Sequence, residues 1–176
     1  MKLLKTKING VYIIKNKPFF DERGSFTRLF CKKIIGEKNL FNLKQSNLSI
    51  NKKKNTLRGF HYQSGSSSEN KIIKCIKGKV FDTVVDLRKN SKTYKKFISI
   101  NLTDKNNKSI LLPKGCANAF LTLTDDTIVL YYTDNYYNRK LEKGIRFNDP
   151  SFKFNWPIKP EIISKKDKAY KNFEAL

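Results

Sequence analysis

The feature that most narrows the possible folds is a succession of short apolar stretches, broken at near-regular intervals by turn residues. Stretches 8–14, 25–30, 45–50, 57–63, 71–77, 79–87, 97–102, 109–112, 119–123 and 127–133 read as strands. Between them stand Pro18 to Gly24, Ser64 to Asn70, Gly78, Pro113-Lys114-Gly115 and Thr124-Asp125-Asp126, rich in residue types that bend a chain. Helical periodicity is scarce. Residues 31–41 fit a short helix interrupted by Gly36. Ser164-Lys165-Lys166-Asp167 has the spacing of a capping box that opens a helix through Phe173. Many short strands with few helices predict an all-β sandwich or barrel. A chain of 176 residues suits one domain, 1–176. Val80, Asp82, Val84 and Asp86 share one face of a strand. Two acids there fit either an interior that is not wholly apolar or an outward polar face.

The formal net charge is +22. Such a charge first suggests nucleic acid or an anionic membrane. Yet only six of the 37 basic residues are arginine, and the lysines are scattered along the chain. Nucleic-acid binders usually concentrate charge and use arginine for bidentate contacts. Neither a nucleic-acid nor a membrane partner is therefore expected, whereas a small anionic substrate would gain from this field. Cys31, Cys75 and Cys116 form neither a metal-ligand spacing nor a disulfide framework, which predicts a reducing, cytoplasmic setting. No apolar run approaches transmembrane length, and the N-terminus has no signal-peptide core.

Leu57-Arg58-Gly59-Phe60-His61-Tyr62-Gln63 holds the one histidine of the chain. Imidazole is the natural group for proton transfer near neutral pH. Arg58 beside it suits a phosphate or carboxylate. A single histidine makes a metal site improbable, since Lys and Asn do not replace imidazole ligands. Walker A, GxGxxG and GxSxG patterns are absent. Cofactor-free acid–base chemistry or plain binding remains. Tyr131, Tyr132, Tyr136 and Tyr137 fall within seven residues and supply rings for a base or sugar. On a regular strand Arg58 and His61 point to opposite faces. Both reach one site only if Gly59 marks a bulge.

Several stretches together resemble the dTDP-4-dehydrorhamnose 3,5-epimerase family. They include Phe20-Asp21-Glu22-Arg23-Gly24-Ser25-Phe26, Gln45-Ser46-Asn47-Leu48-Ser49 and Leu57 to Gln63. Lys71 to Cys75, Gly78 to Asp82, Val85-Asp86-Leu87-Arg88 and Pro113-Lys114-Gly115-Cys116-Ala117 follow in order. So do the Tyr131–Tyr137 cluster, Gly144 to Pro150 and Asn155-Trp156-Pro157. The resemblance implies a double-stranded β-helix (cupin jelly roll) that works as a homodimer without cofactor. It implies inversion at C3 and C5 of a nucleotide-diphosphate 4-keto-6-deoxy sugar, feeding surface polysaccharide such as O-antigen. Both carbons are α to the C4 ketone, so proton loss gives an enolate with its charge on O4. One group must take the proton, another return it from the opposite face, and a donor or cation hold O4.

By motif, the resemblance makes His61 the base, Asp167 its paired carboxylate, Tyr131 the opposing acid and Lys71 the enolate stabiliser. It places Arg23, Phe26, Arg28, Gln45, Asn47, Arg58, Asn118 and Tyr137 on the nucleotide sugar. Without it, Asp167 reads equally as a helix cap, Lys71 as a surface lysine and Arg23 as half of a loop salt bridge. The chain departs from the family where Ala117-Asn118-Ala119-Phe120 replaces the usual Ala-His-Gly-Phe. Arg28 replaces a common glutamate and Phe147 a common tryptophan. These departures leave open another nucleotide (GDP or CDP), a heptose, or inversion at one carbon only. A keto-isomerase of the same fold and a non-catalytic sugar- or nucleic-acid-binding barrel are the remaining alternatives.

Overall fold

A computed structural model describes residues 1–36 and 41–173. The chain begins with β1 (Lys2–Lys5), β2 (Tyr12–Lys15), a small hairpin of β3 (Phe19–Asp21) and β4 (Gly24–Phe26), and α1 (Lys32–Gly36). Then come β5 (Gln45–Asn51), β6 (Thr56–Gln63), β7 (Lys71–Lys77), β8 (Lys79–Asp86) and β9 (Phe97–Thr103). β10 (Lys108–Leu112), β11 (Cys116–Thr122), β12 (Thr127–Thr133), β13 (Glu142–Gly144), β14 (Ile162–Ile163) and α2 (Lys165–Ala169) complete it. One sheet runs β1-β2-β10-β7-β12-β5 and the other β13-β6-β11-β8-β9, with β14 added parallel to β6. The two sheets enclose a double-stranded β-helix.

Alternation along each strand builds three apolar clusters from the two sheets. Ile73 and Cys75 of β7, Val80 and Val84 of β8, Ile110 and Leu112 of β10, and Phe120 of β11 point into the barrel. Their neighbours point out. Ile72 and Leu111 pack under Ile35 of α1 and Phe41. Val85, Ala117 and Ala119 pack under the C-terminal segment through Phe152, with Phe154 and Trp156 against them. Each aliphatic side chain withdrawn this way contributes about 1.5–3 kcal/mol. The face carrying Val80, Asp82, Val84 and Asp86 is thus the inner one, and both acids are wholly buried. Asp86 closes one end of the barrel. It accepts from Arg88, Ser91 and Thr93; burial alone would raise its pKa, but these donors hold the carboxyl far below the usual range.

Four local readings change. The strand expected at 25–30 ends at Phe26, because Arg28 gives its carbonyl to Asn16 Nδ2 at 2.6 Å instead of to a ladder. The strand expected at 8–14 is Tyr12–Lys15, preceded by a turn in which Val11 N–H donates to Ile8 O. The helix opened by Ser164 ends at Ala169, since Tyr170 turns to extended backbone. The helix expected over 31–41 covers Lys32–Gly36; residues 37–40 lie outside the described residues.

Candidate active site

Between the sheets lies a cavity of about 570 Å³, a size typical of small-molecule sites. β6 forms one wall, and its ladder to β11 is irregular. Asn118 pairs with His61 and Phe120 with Arg58, so three steps on β6 match two on β11. The extra residue is a β-bulge, and it turns Arg58 and His61 to the same side. Gly59 makes this possible. Its φ is +112°, and a Cβ there would sit 2.5 Å from the Asn118 carbonyl and 2.8 Å from Ala119 Cα.

The bulge also frees a donor. Gly59 N–H donates to Asp167 Oδ2 at 3.1 Å, while Asp167 Oδ1 lies 2.7 Å from His61 Nε2. Asp167 sits in the first turn of α2, where its own N–H is capped by Ser164 Oγ at 3.0 Å. So the capping box and the partner of the histidine are one device. The helix start fixes the backbone, and the carboxylate reaches back to the bulge. Its side chain is 4% exposed and that of His61 30%. Burial pushes the Asp167 carboxyl up, but the His61 bond, the Gly59 N–H and Ser164 outweigh it and hold it below the ordinary value. Tyr170 packs edge-on against the imidazole, with ring centroids 6.0 Å apart. It needs Gly144 on β13 opposite His61, because a Cβ there would lie 2.2 Å from the Tyr170 ring.

The facing sheet supplies the other groups. Tyr131 on β12 stands between Asn47 of β5 and Ile73 of β7, and all three line the cavity. Burial, helped by the negative charge of Glu69, pushes the Tyr131 phenol up, so it stays protonated at neutral pH. Lys71 opens β7 with Nζ 3.2 Å from Glu69 Oε1, in a pair that is 12% and 7% exposed. Arg58 donates through Nε to Asn51 Oδ1 at 2.7 Å. Gln45 Oε1 accepts from Tyr137 N–H at 2.7 Å and so fixes the cavity rim.

Of the residues expected in the site, Gln45, Asn47, Arg58, His61, Lys71, Asn118, Tyr131 and Tyr137 line one cavity, and Asp167 stands behind His61. Arg23, Phe26 and Arg28 are not among the described residues lining it. Arg23 is 84% exposed and ion-paired with Asp21 at 2.5 Å, and Phe26 is 66% exposed on the hairpin.

Sequence reasoning missed Glu69 and Glu142. Glu142 Oε2 accepts from Tyr137 Oη at 2.7 Å and from Lys166, joining the rim to the helix that carries Asp167. Burial raises the pKa of this carboxyl, but the bonds from Lys166 and Tyr137 bring it below its ordinary value. Burial leaves Glu69 above its ordinary value despite Lys71. A signal existed for Glu69. Only 15 acids stand against 37 basic residues, and this one lies two positions from Lys71, on the same side of an extended segment.

The chain matches the dTDP-4-dehydrorhamnose 3,5-epimerase family over residues 5–175. It is 37% identical to a dTDP-4-dehydrorhamnose 3,5-epimerase of Shigella flexneri, covering 95% of this chain and 93% of the relative. The solved dTDP-4-dehydrorhamnose 3,5-epimerase of Elizabethkingia anophelis NUHP1 superposes with a TM-score of 0.94 at 35% identity, covering 99% and 97% of the two chains. A dTDP-6-deoxy-D-glucose-3,5-epimerase of Legionella pneumophila Philadelphia 1, solved with dTDP-4-keto-L-rhamnose, gives a TM-score of 0.93 at 32% identity and covers 98% and 93%. Likeness of this extent in sequence and in fold leaves one assignment: the chain belongs to the dTDP-4-dehydrorhamnose 3,5-epimerase family and is an enzyme of the nucleotide-sugar 3,5-epimerase class.

Proposed function

We propose that the enzyme inverts C3 and C5 of dTDP-4-dehydro-6-deoxyglucose, giving dTDP-4-dehydrorhamnose. The observation that carries this reading is the His61–Asp167 pair at 2.7 Å, set in the wall of a cavity that Tyr131 and Lys71 also line. His61 removes the proton from a carbon next to the ketone. The C–H electron pair moves into a new C=C bond, and the ketone π pair moves onto O4. Lys71 offers its positive charge to that oxygen, and Tyr131 returns a proton to carbon from the other face, so the carbonyl re-forms with the centre inverted. No net redox change occurs and no cofactor is required. Asp167 holds the ring in place and accepts its N–H, which stabilises the imidazolium formed during the step. Arg58, Gln45, Asn47 and Tyr137 hold the nucleotide diphosphate. The product feeds a surface polysaccharide, and the three free cysteines fit a cytoplasmic site of action.

The reading extends to a homodimer in which the β3–β4 hairpin of one copy serves the other. Phe19, Phe20 and Phe26 are 63%, 76% and 66% exposed, an unusual concentration on one small hairpin. Arg23 and Phe26 resemble nucleotide contacts yet stand off their own cavity, so they would act across the dimer, with Arg28 behind them.

The test is solvent deuterium. Incubation with dTDP-4-dehydro-6-deoxyglucose in deuterium oxide should label C3 and C5. Absence of label with dTDP-, GDP- and CDP-linked substrates alike would remove the proposal. Inversion at one carbon only is the second reading. Asn118, an amide that cannot move a proton, favours it, because it stands on the cavity wall where the family commonly has histidine.

A further inference from the structure

Asp82 is a carboxylate beside the cavity to which the reaction above gives no role. It lies on the inner face of β8, wholly buried, directly behind Asn118. Its bonding is poor for a charge. Oδ2 accepts from Asn118 Nδ2 at 3.4 Å, and Oδ1 has no hydrogen-bond partner among the described residues. A buried carboxylate with one long bond is strongly disfavoured against the neutral acid. The groups around it do little to reverse this. β9 and β11 place Ile100 and Phe120 opposite it. The charge that reaches it is that of Lys71 on β7, which is already paired with Glu69.

We propose that Asp82 is a positioning residue that acts through Asn118: its carboxyl group decides which end of the Asn118 amide faces the substrate. An ionised Asp82 only accepts, so it holds the amide NH2 and leaves the amide oxygen toward the cavity. A protonated Asp82 donates its O–H to the amide oxygen. After a half-turn of the amide, the NH2 then faces the cavity. The second arrangement satisfies the buried acid and presents a donor to a ketone or phosphate oxygen of the sugar nucleotide. Burial, opposed by the Asn118 bond and by Lys71, pushes the Asp82 carboxyl up to about 7. The wall is thus a donor in mildly acid solution and an acceptor in mildly alkaline solution. Asn118 cannot titrate, and the proton that sets its polarity sits one residue deeper.

This inference rests on the epimerase reading for its substrate, so the experiment has two arms. In the first, the protein carries 13C-labelled aspartate, and the Asp82 carboxyl resonance is identified by its loss in Asp82→Asn. It should titrate near neutrality in free wild-type protein. A resonance at the carboxylate position throughout would overturn the proposal. In the second, KM and kcat for dTDP-4-dehydro-6-deoxyglucose are followed from about pH 6 to about pH 8. Wild-type KM should rise about five- to tenfold across this range, the worth of one net hydrogen bond. In Asp82→Asn the side-chain NH2 donates to Asn118 at every pH, so its KM should stay flat. Asn118→Ala has no amide to turn and should give a flat, raised KM. If Asp82 titrates while wild-type and Asp82→Asn show the same KM profile, the positioning role is wrong. A failed epimerase reading looks different: no variant labels the sugar, while the resonance titration is unaffected.

Discussion

The N–H of Gly59 donates to Asp167 Oδ2 at 3.1 Å, so one carboxylate holds both the bulge in β6 and the imidazole that the bulge turns inward. Gly59→Ala therefore carries two costs. The left-handed φ of +112° is strained for any residue with a Cβ, and that Cβ would meet the Asn118 carbonyl at 2.5 Å. We expect at least about 2 kcal/mol of destabilisation. Activity should fall further than stability alone explains, because relief of the clash moves His61. Urea unfolding and turnover on the same preparation separate the two effects.

His61→Asn should lower kcat by about 10³-fold or more, near the upper range for a general base, while the fold is retained at a cost of about 1–3 kcal/mol, because the buried Asp167 carboxylate loses its 2.7 Å partner. Asp167→Asn should lose less, about 10- to 100-fold, because it orients and stabilises the base without replacing it. Its effect on stability has a defined sign. The folded-state pKa of Asp167 is depressed, so its contribution is fully present above the unfolded value near 4 and is lost as pH falls through the folded value. The stability gap between wild type and Asp167→Asn, about 1.5–3 kcal/mol for hydrogen bonds to a charge, should therefore close in acid below about pH 4. A gap that widened in acid would contradict the pairing.

Tyr131→Phe removes the phenol proton but keeps the ring. Deprotonation by His61 should continue and inverted product should fall about 100-fold. Exchange of substrate hydrogen with retention of configuration, read by NMR in deuterium oxide, is the expected signature. Equal loss of exchange and inversion would mean that Tyr131 serves the first step instead.

The strand pattern made the barrel legible, because alternation along β7, β8, β10 and β11 is the same alternation that sorts the clusters inside and outside the sheets. The parity of Arg58 and His61 left two alternatives, a bulge at Gly59 or one wrong assignment, and the register of β6 against β11 shows the bulge. The pairing of Asp167 with His61 was not legible from spacing alone. The two are 106 positions apart, and a Ser-x-x-Asp motif looks the same whether its carboxylate serves the helix or a distant ring. Glu142 was hidden for a related reason, as its partners Tyr137 and Lys166 come together only when β13 lies beside β6. Arg23 and Phe26 stand exposed on the β3–β4 hairpin, away from the cavity lining, a placement that strand periodicity did not encode.

Asp82→Asn should stabilise the protein in alkaline solution. Burial raises the folded-state pKa of Asp82 to about 7, whereas the unfolded chain releases this proton near 4. Between those values the folded state binds the extra proton, so wild-type stability falls as pH rises, by up to about 1.4 kcal/mol per unit. The penalty is fully developed above pH 7. The substituted amide has no proton to release and escapes it. The advantage of Asp82→Asn should be smallest near pH 4 and reach roughly 2–4 kcal/mol at about pH 8, as measured by denaturant unfolding across the range.

Mixing two inactive variants tests the hairpin. If Arg23 serves the cavity of the other copy, Arg23→Ala and His61→Asn damage the same site from different chains. Each homodimer then has two defective sites. A mixed dimer has one site that combines the intact His61 of one chain with the intact Arg23 of the other, and one site with neither. Random pairing at equal concentrations makes half the dimers mixed, so about a quarter of all sites should be restored. Turnover should rise toward that fraction after the two proteins are denatured and refolded together, and not after they are simply combined if subunit exchange is slow. A refolded mixture no more active than the average of its parents would place Arg23 outside the partner's cavity, because no arrangement of chains could then join the two intact residues in one site.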